Sequence, residues 1–212
     1  MTAKAEPSSR ADRRKARTRA ALVSAATDLL SSGRTNASIQ DITDLADVGF
    51  GTFYNHFSTK EELFAAAIAE TLDGWSALRQ QATAGLTDPA EIFARSFRLA
   101  GRLQQSNPTM AQLVLNAGAQ VLVTDRGLRP GAVEDIERGI ASGRFTVPDP
   151  EAGVMMVGGL LLALLQMLES RDVPAGPTAD LFAERALIVL GVDAAEAHDI
   201  CNRDLPEVTL KL

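Results

Sequence analysis

The chain has 212 residues, 46% of them hydrophobic, enough to bury a core without disulfides or a structural metal. A single cysteine, Cys201, excludes an internal disulfide framework and fits a reducing cytoplasm, and a net charge of −6 argues against a protein that coats nucleic acid throughout. The charge is uneven, however: residues 1–60 carry nine Lys and Arg against six Asp and Glu, residues 61–212 twelve against twenty-one, so one end alone is suited to a polyanion.

Helical periodicity dominates and strand signals are nearly absent. The first helix is predicted over Asp12–Ser32. It opens on a basic run (Arg10, Arg13, Arg14, Lys15, Arg17, Arg19) and continues into an apolar stripe of Leu22, Val23, Ala26, Leu29 and Leu30. Gly33 is placed to end it. Ser38, with Asp41 three residues later, makes a capping-box start for a short second helix, whose expected buried face is Ile39, Ile42, Leu45 and Ala46. Asp47-Val48-Gly49 breaks the period. A third helix over Phe50–Phe57 turns Phe53 and Phe57 inward and shows Thr52, Tyr54, Asn55 and His56 on its other face. Ser58-Thr59-Lys60-Glu61 reads as another capping box, opening a fourth helix to about Ala82 with Leu63, Phe64, Ala67, Ile68, Thr71, Leu72 and Trp75 on its inner side.

After a loop over Thr83–Asp88, helices are predicted over Ala90–Gln105, Thr109–Val123, Ala132–Ala141, Pro150–Ser170, Thr178–Leu190 and Ala194–Asn202, with irregular links at Gly143–Pro150 and Val173–Pro177. Ala152–Leu168 has no charge, but it sits at the short limit for a membrane span and reads as a buried core or interface helix; no membrane partner is expected. The fold class is all-α: a three-helix head over residues 1–60, with its basic arm, joined to a larger helical body over residues 61–212.

Two short helices joined by a tight turn, the second exposing polar side chains, form the helix-turn-helix pattern, which reads base edges from the major groove. The residues here are Ser38-Ile39-Gln40-Asp41-Ile42, then Ala46-Asp47-Val48-Gly49-Phe50-Gly51-Thr52-Phe53-Tyr54-Asn55-His56-Phe57, then Ser58-Thr59-Lys60-Glu61-Glu62-Leu63. This stretch resembles the DNA-binding signature of the TetR family of transcriptional regulators; the close resemblance covers about Arg13–Phe64. It implies an all-helical homodimer, usually a repressor, whose body binds an inducer. It also makes Gly49–Phe57 the recognition helix. Tyr54 and His56 would touch phosphates, and Gly51, Thr52 and Asn55 the backbone or bases. Lys60 would hold a phosphate at the start of the fourth helix. Ser38 and Gln40 would clamp the strand from the other side, and Arg13 and Arg17 would add salt-sensitive affinity. Asp47 stands where the family commonly has Gly, Gly49 replaces a hydroxyl cap, and Phe50 occupies a position often polar. An exposed Phe50 would meet thymine methyl groups; one folded onto the fourth helix would not read bases. The sequence leaves both open.

In the body, Phe93, Phe97, Met110, Leu113, Leu115 and Met156 are candidate walls for an effector pocket, although apolar residues at helical spacing also serve as plain core. No charged cluster points to a ligand head group, so a mostly apolar small molecule is expected. Leu161, Leu164, Leu165 and Leu168, with Phe182, Arg185, Leu187 and Val189, are assigned to a two-fold dimer interface, with Asp180, Glu184 and Arg185 as its polar rim and Gly158-Gly159 permitting close helix approach. No catalytic motif, cofactor or metal site is expected: Gly49-x-Gly51 follows no strand, and His198 with Cys201 is one isolated pair. The partners read from the sequence are double-stranded operator DNA, a second copy of the chain and a small-molecule effector. The alternative is a small-molecule binding protein of the same fold without operator binding.

Overall fold

The structure, a computed structural model, describes residues 10–206 except Thr124 and Arg126. The first nine residues of the predicted basic arm and the last six of the predicted body lie outside the described residues. The described chain divides into two compact units that meet in sequence between Ile68 and Ala69. No strand occurs among the described residues.

Helix α1 (Arg10–Ser31) carries its cations on the exposed first half, and Leu22, Val23, Ala26, Leu29 and Leu30 are all buried, as the stripe predicts. Gly33 at φ 71° stops it, while the amide of Arg34 closes onto the carbonyl of Leu29 at 2.8 Å. In α2 (Ile39–Leu45) the capping box forms as read: Asp41 N–H donates to Ser38 Oγ at 3.1 Å and Ser38 N–H to the Asp41 carboxylate at 2.8 Å. Its buried face is rotated from the expected one. Ile42 and Thr43 are buried, whereas Leu45 is 52% exposed. At about 100° per residue, Ile39, Ile42, Thr43 and Ala46 cluster on one side and Leu45 falls outside that arc. The hydroxyl of Thr43 donates to the carbonyl of Gln40 at 3.0 Å, which lets a polar residue occupy the face.

Asp47 makes the turn at φ 52°, the one described non-glycine residue with positive φ. The third helix is shorter than predicted: α3 is Phe50–Phe53, and Tyr54–His56 continue as tight turns, with His56 N–H bonded to the Phe53 carbonyl at 2.9 Å. Phe53 and Phe57 remain the inward pair, their ring centroids 6.2 Å apart.

Helix α4 (Lys60–Thr83) supplies residues to both units. Its cap sits one residue later than read: Thr59 Oγ1 accepts from Glu62 N–H at 3.1 Å, and Glu62 accepts from Ser58 N–H at 2.7 Å. Leu63, Ala67, Thr71, Trp75, Leu78 and Ala82 are buried at steps of three or four. Ile68, expected inward, is exposed because it stands about 100° round from Ala67.

In the second unit, α5 (Pro89–Ala100) packs against α8 (Leu128–Ala141), α10 (Ala175–Val189) and α11 (Ala194–Cys201). The predicted helix to Gln105 breaks instead: after Gly101 a separate turn, α6 (Leu103–Ser106), begins. A Cβ on Gly101 would lie 2.7 Å from Leu164 and 2.8 Å from Ala179, so only glycine lets α5 come this close. The predicted Thr109–Val123 helix also divides, into α7 (Pro108–Ala117) and a 3-10 turn over Gly118–Leu122, because Gly118 turns to φ 53°. Helix α9 (Pro150–Ser170) packs against α7, α8 and α10. Helix α10 starts earlier than read, with Pro177 in its first turn, where a missing N–H is harmless.

Candidate nucleic-acid interface and ligand cavity

In the first unit the inward side of the turn is apolar and the outward side polar. Tyr54 is 53% exposed, and its ring meets Phe53 edge-on at 5.3 Å. Gly51 and Asn55 are exposed, and Thr52 and His56 half-buried. Nothing would meet a Cβ on Gly51, so the backbone there is open to close approach. Phe50 stays out of the core: it is 47% exposed, and its ring rests on Tyr54 at 5.8 Å.

The cations of α1 approach this segment. The Arg19 guanidinium lies over the Phe57 ring, 5.4 Å from its centroid. Partial burial, then the charges of Lys15 and Arg19, hold the His56 imidazole below its ordinary value of 6.5, so it is neutral at pH 7. Sequence reading had singled out Arg13 and Arg17, which are exposed on α1; Lys15 and Arg19 are the ones whose charge reaches His56. Lys60 donates to the carbonyl of Thr35 at 3.4 Å and lies 5.8 Å from the Phe64 ring centroid. Ser38 is committed to the capping box, whose hydrogen bonds hold Asp41 below the usual carboxylate range, and Gln40 donates to Asp44 at 2.6 Å. All eleven expected DNA-contact residues therefore lie in one unit, with Ser38 and Gln40 engaged locally.

The second unit contains a cavity of about 70 Å³. One water occupies about 10–15 Å³ of such space, so the cavity suits a small ring rather than a long chain. Trp75, Phe93, Phe97, Val114, Val157 and Leu161 form much of its apolar wall. Phe93 and Phe97 are thus where the sequence put them. Met110, Leu113 and Leu115 are not in the wall, and Met156 stands on the outward side of α9, 44% exposed. The helical period identified apolar positions, but not which of two apolar faces of α9 turns inward. Leu161, Leu164, Leu165 and Leu187 correct the interface assignment for the same reason: all four are buried inside their own chain. Leu168 and Phe182 are partly buried, and Arg185 is exposed. Gly158 admits Leu122 of the same chain, while Gly159 faces outward. Asp180, expected on a rim, is instead held by Arg98 at 2.7 Å and by Arg102 at 2.7 Å. The large hydrophobic residues exposed on the adjacent helices α9 and α10 are Met155, Met156, Leu181 and Val189.

The cavity wall also has charged members that sequence reading missed. Arg79 donates to both oxygens of Asp135 at 3.0 Å and to Glu134 at 3.1 Å. Burial pushes the Asp135 carboxyl above its ordinary value against the pull of Arg79. Arg129 is paired with Asp125 at 2.6 Å and Glu151 at 2.5 Å, and Ser96 donates to the Ile92 carbonyl at 2.8 Å. No local motif announces this group, because Arg79 and Asp135 stand 56 residues apart. Elsewhere in the unit, His198 Nδ1 lies 3.0 Å from Glu184, and burial pushes the Cys201 thiol up to about 11.

Residues 22–67 match the family described as bacterial regulatory proteins, tetR family, and residues 88–203 match the family described as tetracyclin repressor-like, C-terminal domain. Among solved structures, RolR without ligand is 34% identical, with a TM-score of 0.70 over 90% of this chain and 100% of that one. RolR in complex with resorcinol is 32% identical, with a TM-score of 0.64 over 93% and 99%. A TetR-family transcriptional regulator from Haemophilus influenzae, 15% identical, shares the fold with a TM-score of 0.66 over 82% and 97%. No curated protein sequence matches the chain. The helix-turn-helix unit, the cavity-bearing helical unit and these matches agree: the chain belongs to the TetR family of DNA-binding, ligand-responsive transcriptional regulators.

Proposed function

We propose that this regulator is a repressor that holds a palindromic operator as a homodimer and is released from it by a small, mostly apolar aromatic ligand. The observation that carries the reading is that α4 supplies Lys60 to the polar head and Trp75 and Arg79 to the wall of an apolar cavity. A ligand that shifts α4 would change how the head meets DNA, provided it prefers the DNA-free conformation.

Tyr54, His56 and Lys60, with Ser38 and Gln40 once released from their local bonds, hold phosphates. Gly51, Thr52, Asn55 and Phe50 face the groove, and Arg13 and Arg17 add non-specific affinity. The two copies join through the exposed stripe of Met156, Leu181 and Val189, flanked by Leu168, Phe182 and Arg185. An apolar stripe of this kind on two adjacent helices suits a four-helix contact across a two-fold axis, which spaces two recognition segments for successive major grooves. The resorcinol held by RolR supports a single-ring ligand for the cavity here.

Selection from a random double-stranded DNA library tests the reading, with Tyr54→Ala as control. An enriched palindrome, lost in the variant and released by resorcinol, is expected. Absence of enrichment at low salt from folded protein would overturn it. Leu181→Glu is expected to give monomers in sedimentation; a persistent dimer would remove this interface.

A further inference from the structure

The charged part of the cavity wall says what kind of polar group a ligand can bring. Every guanidinium there is already matched by carboxylates: Arg79 by Asp135 and Glu134, and Arg129 by Asp125 and Glu151. An anionic ligand would have to displace one of these partners or sit beside it. One donor in the wall is both buried and without a partner. Arg129 Nε is out of reach of solvent and has no hydrogen-bond partner among the described residues. A buried donor without a partner is destabilising, and a ligand acceptor would relieve it. Ser96, also in the wall and buried, spends its one proton on the Ile92 carbonyl, so its oxygen can only accept.

We propose, resting on the reading of this cavity as the effector site, that it selects neutral single-ring hydroxyarenes, with Arg129 Nε as the specificity-determining donor to a ring hydroxyl. A hydroxyl accepts from Arg129 Nε and, through a second hydroxyl or its own proton, can satisfy Ser96 Oγ. It does so without importing charge, since a phenol with a pKa near 10 stays protonated at pH 7 while an arene carboxylate does not. The ring occupies the apolar space beside Trp75, Phe93 and Phe97. Two wall chemistries divide the selection: apolar contact accepts any small ring, and the buried unpaired donor ranks the rings by what they carry.

Trp75 is the chain's one tryptophan and lies in the wall, so its fluorescence reports occupancy directly. The full-length protein, free of DNA, is titrated at pH 7 with phenol, resorcinol, toluene and benzoate. Phenol and resorcinol are expected to bind roughly tenfold or more tightly than toluene, from one hydrogen bond to a charged donor, and benzoate more weakly than toluene. Arg129→Lys keeps a cation for Asp125 and Glu151 but removes Nε; the ratio of phenol affinity to toluene affinity is expected to collapse toward one. Equal affinity for phenol and toluene, tighter binding of benzoate, or a preference that survives Arg129→Lys would overturn the hydroxyl reading alone. Failure of all four to bind would overturn it together with the effector-site reading beneath it.

Discussion

The two units spend their polar side chains in opposite ways. In the head, the cations of α1 and the polar face from Gly51 to Asn55 point outward, with the apolar pair Phe53 and Phe57 behind them. In the body, Arg79 and Asp135 are drawn inward and matched to each other, and one guanidinium nitrogen is left buried and unpaired. A surface built for a polyanion keeps its charges hydrated and ready to exchange counterions. The cavity wall instead matches its charges internally, which suits it to the neutral ligand proposed above.

The contrast implies that perturbing the body's polar groups damages stability, whereas perturbing the head's damages DNA affinity and little else. The largest effect is expected for Asp135→Ala, which strands Arg79, whose side chain is only 12% exposed, with Glu134 alone. A loss of about 3 kcal/mol is expected in denaturant unfolding, the usual scale for breaking a buried pair from one side. A loss under about 0.5 kcal/mol, typical of surface sites, would erase the distinction between the units. Tyr54→Ala is expected next: operator affinity falls roughly tenfold, by about 1.4 kcal/mol, with unfolding barely changed because the ring is half exposed. Parallel losses of affinity and stability would make Tyr54 a core residue instead.

Ser38→Ala sharpens the comparison further, because Ser38 belongs to both accounts. Loss of the cap is expected to cost about 1 kcal/mol of stability. If Ser38 also holds a phosphate, Ser38→Gly lowers operator affinity as much as Ser38→Ala does, although glycine replaces the cap at a cost of only a few tenths of a kcal/mol; unchanged affinity in Ser38→Gly would leave Ser38 a cap alone.

The smallest effect is the pH response of His56. Its folded-state value is depressed, so the folded head binds fewer protons than the unfolded chain as pH drops below 6.5. This contribution to stability is present above pH 6.5 and is lost as pH falls through the depressed value. A phosphate beside the ring would act in the opposite direction, favouring proton uptake. Operator affinity is then expected to rise as pH falls below 6.5, by less than tenfold per pH unit for one proton, and His56→Asn should flatten that rise. An unchanged profile in the variant would take His56 away from the phosphates.

How legible each unit was follows from the range of its interactions. The head is written in contiguous residues: the stripe of α1, the Ser38–Asp41 box, the Asp47 turn and the Phe53–Phe57 pair are all local patterns, and all appear in the structure. Its errors are errors of phase, as at Leu45 and Ile68, where a strong side chain lies just beyond the buried arc. The body's helices were equally visible, but the glycine at position 101 is explained only by Leu164 and Ala179, far along the chain. The same holds for its site. Phe93 and Phe97 stood out as large apolar residues, whereas Arg79, Arg129 and Asp135 acquire meaning only when α4 and α8 bring them to one cavity. With two apolar faces on α9, periodicity could not separate the core leucines Leu164 and Leu165 from the outward Met156.

The central claim is that the cavity and the DNA-binding face are energetically coupled, and resorcinol affinity measured with and without saturating operator tests it most directly. Markedly weaker binding to the operator-bound protein is expected, matched by an equal loss of operator affinity when resorcinol is saturating, as linkage requires. Equal resorcinol affinity for the free and operator-bound forms would contradict it.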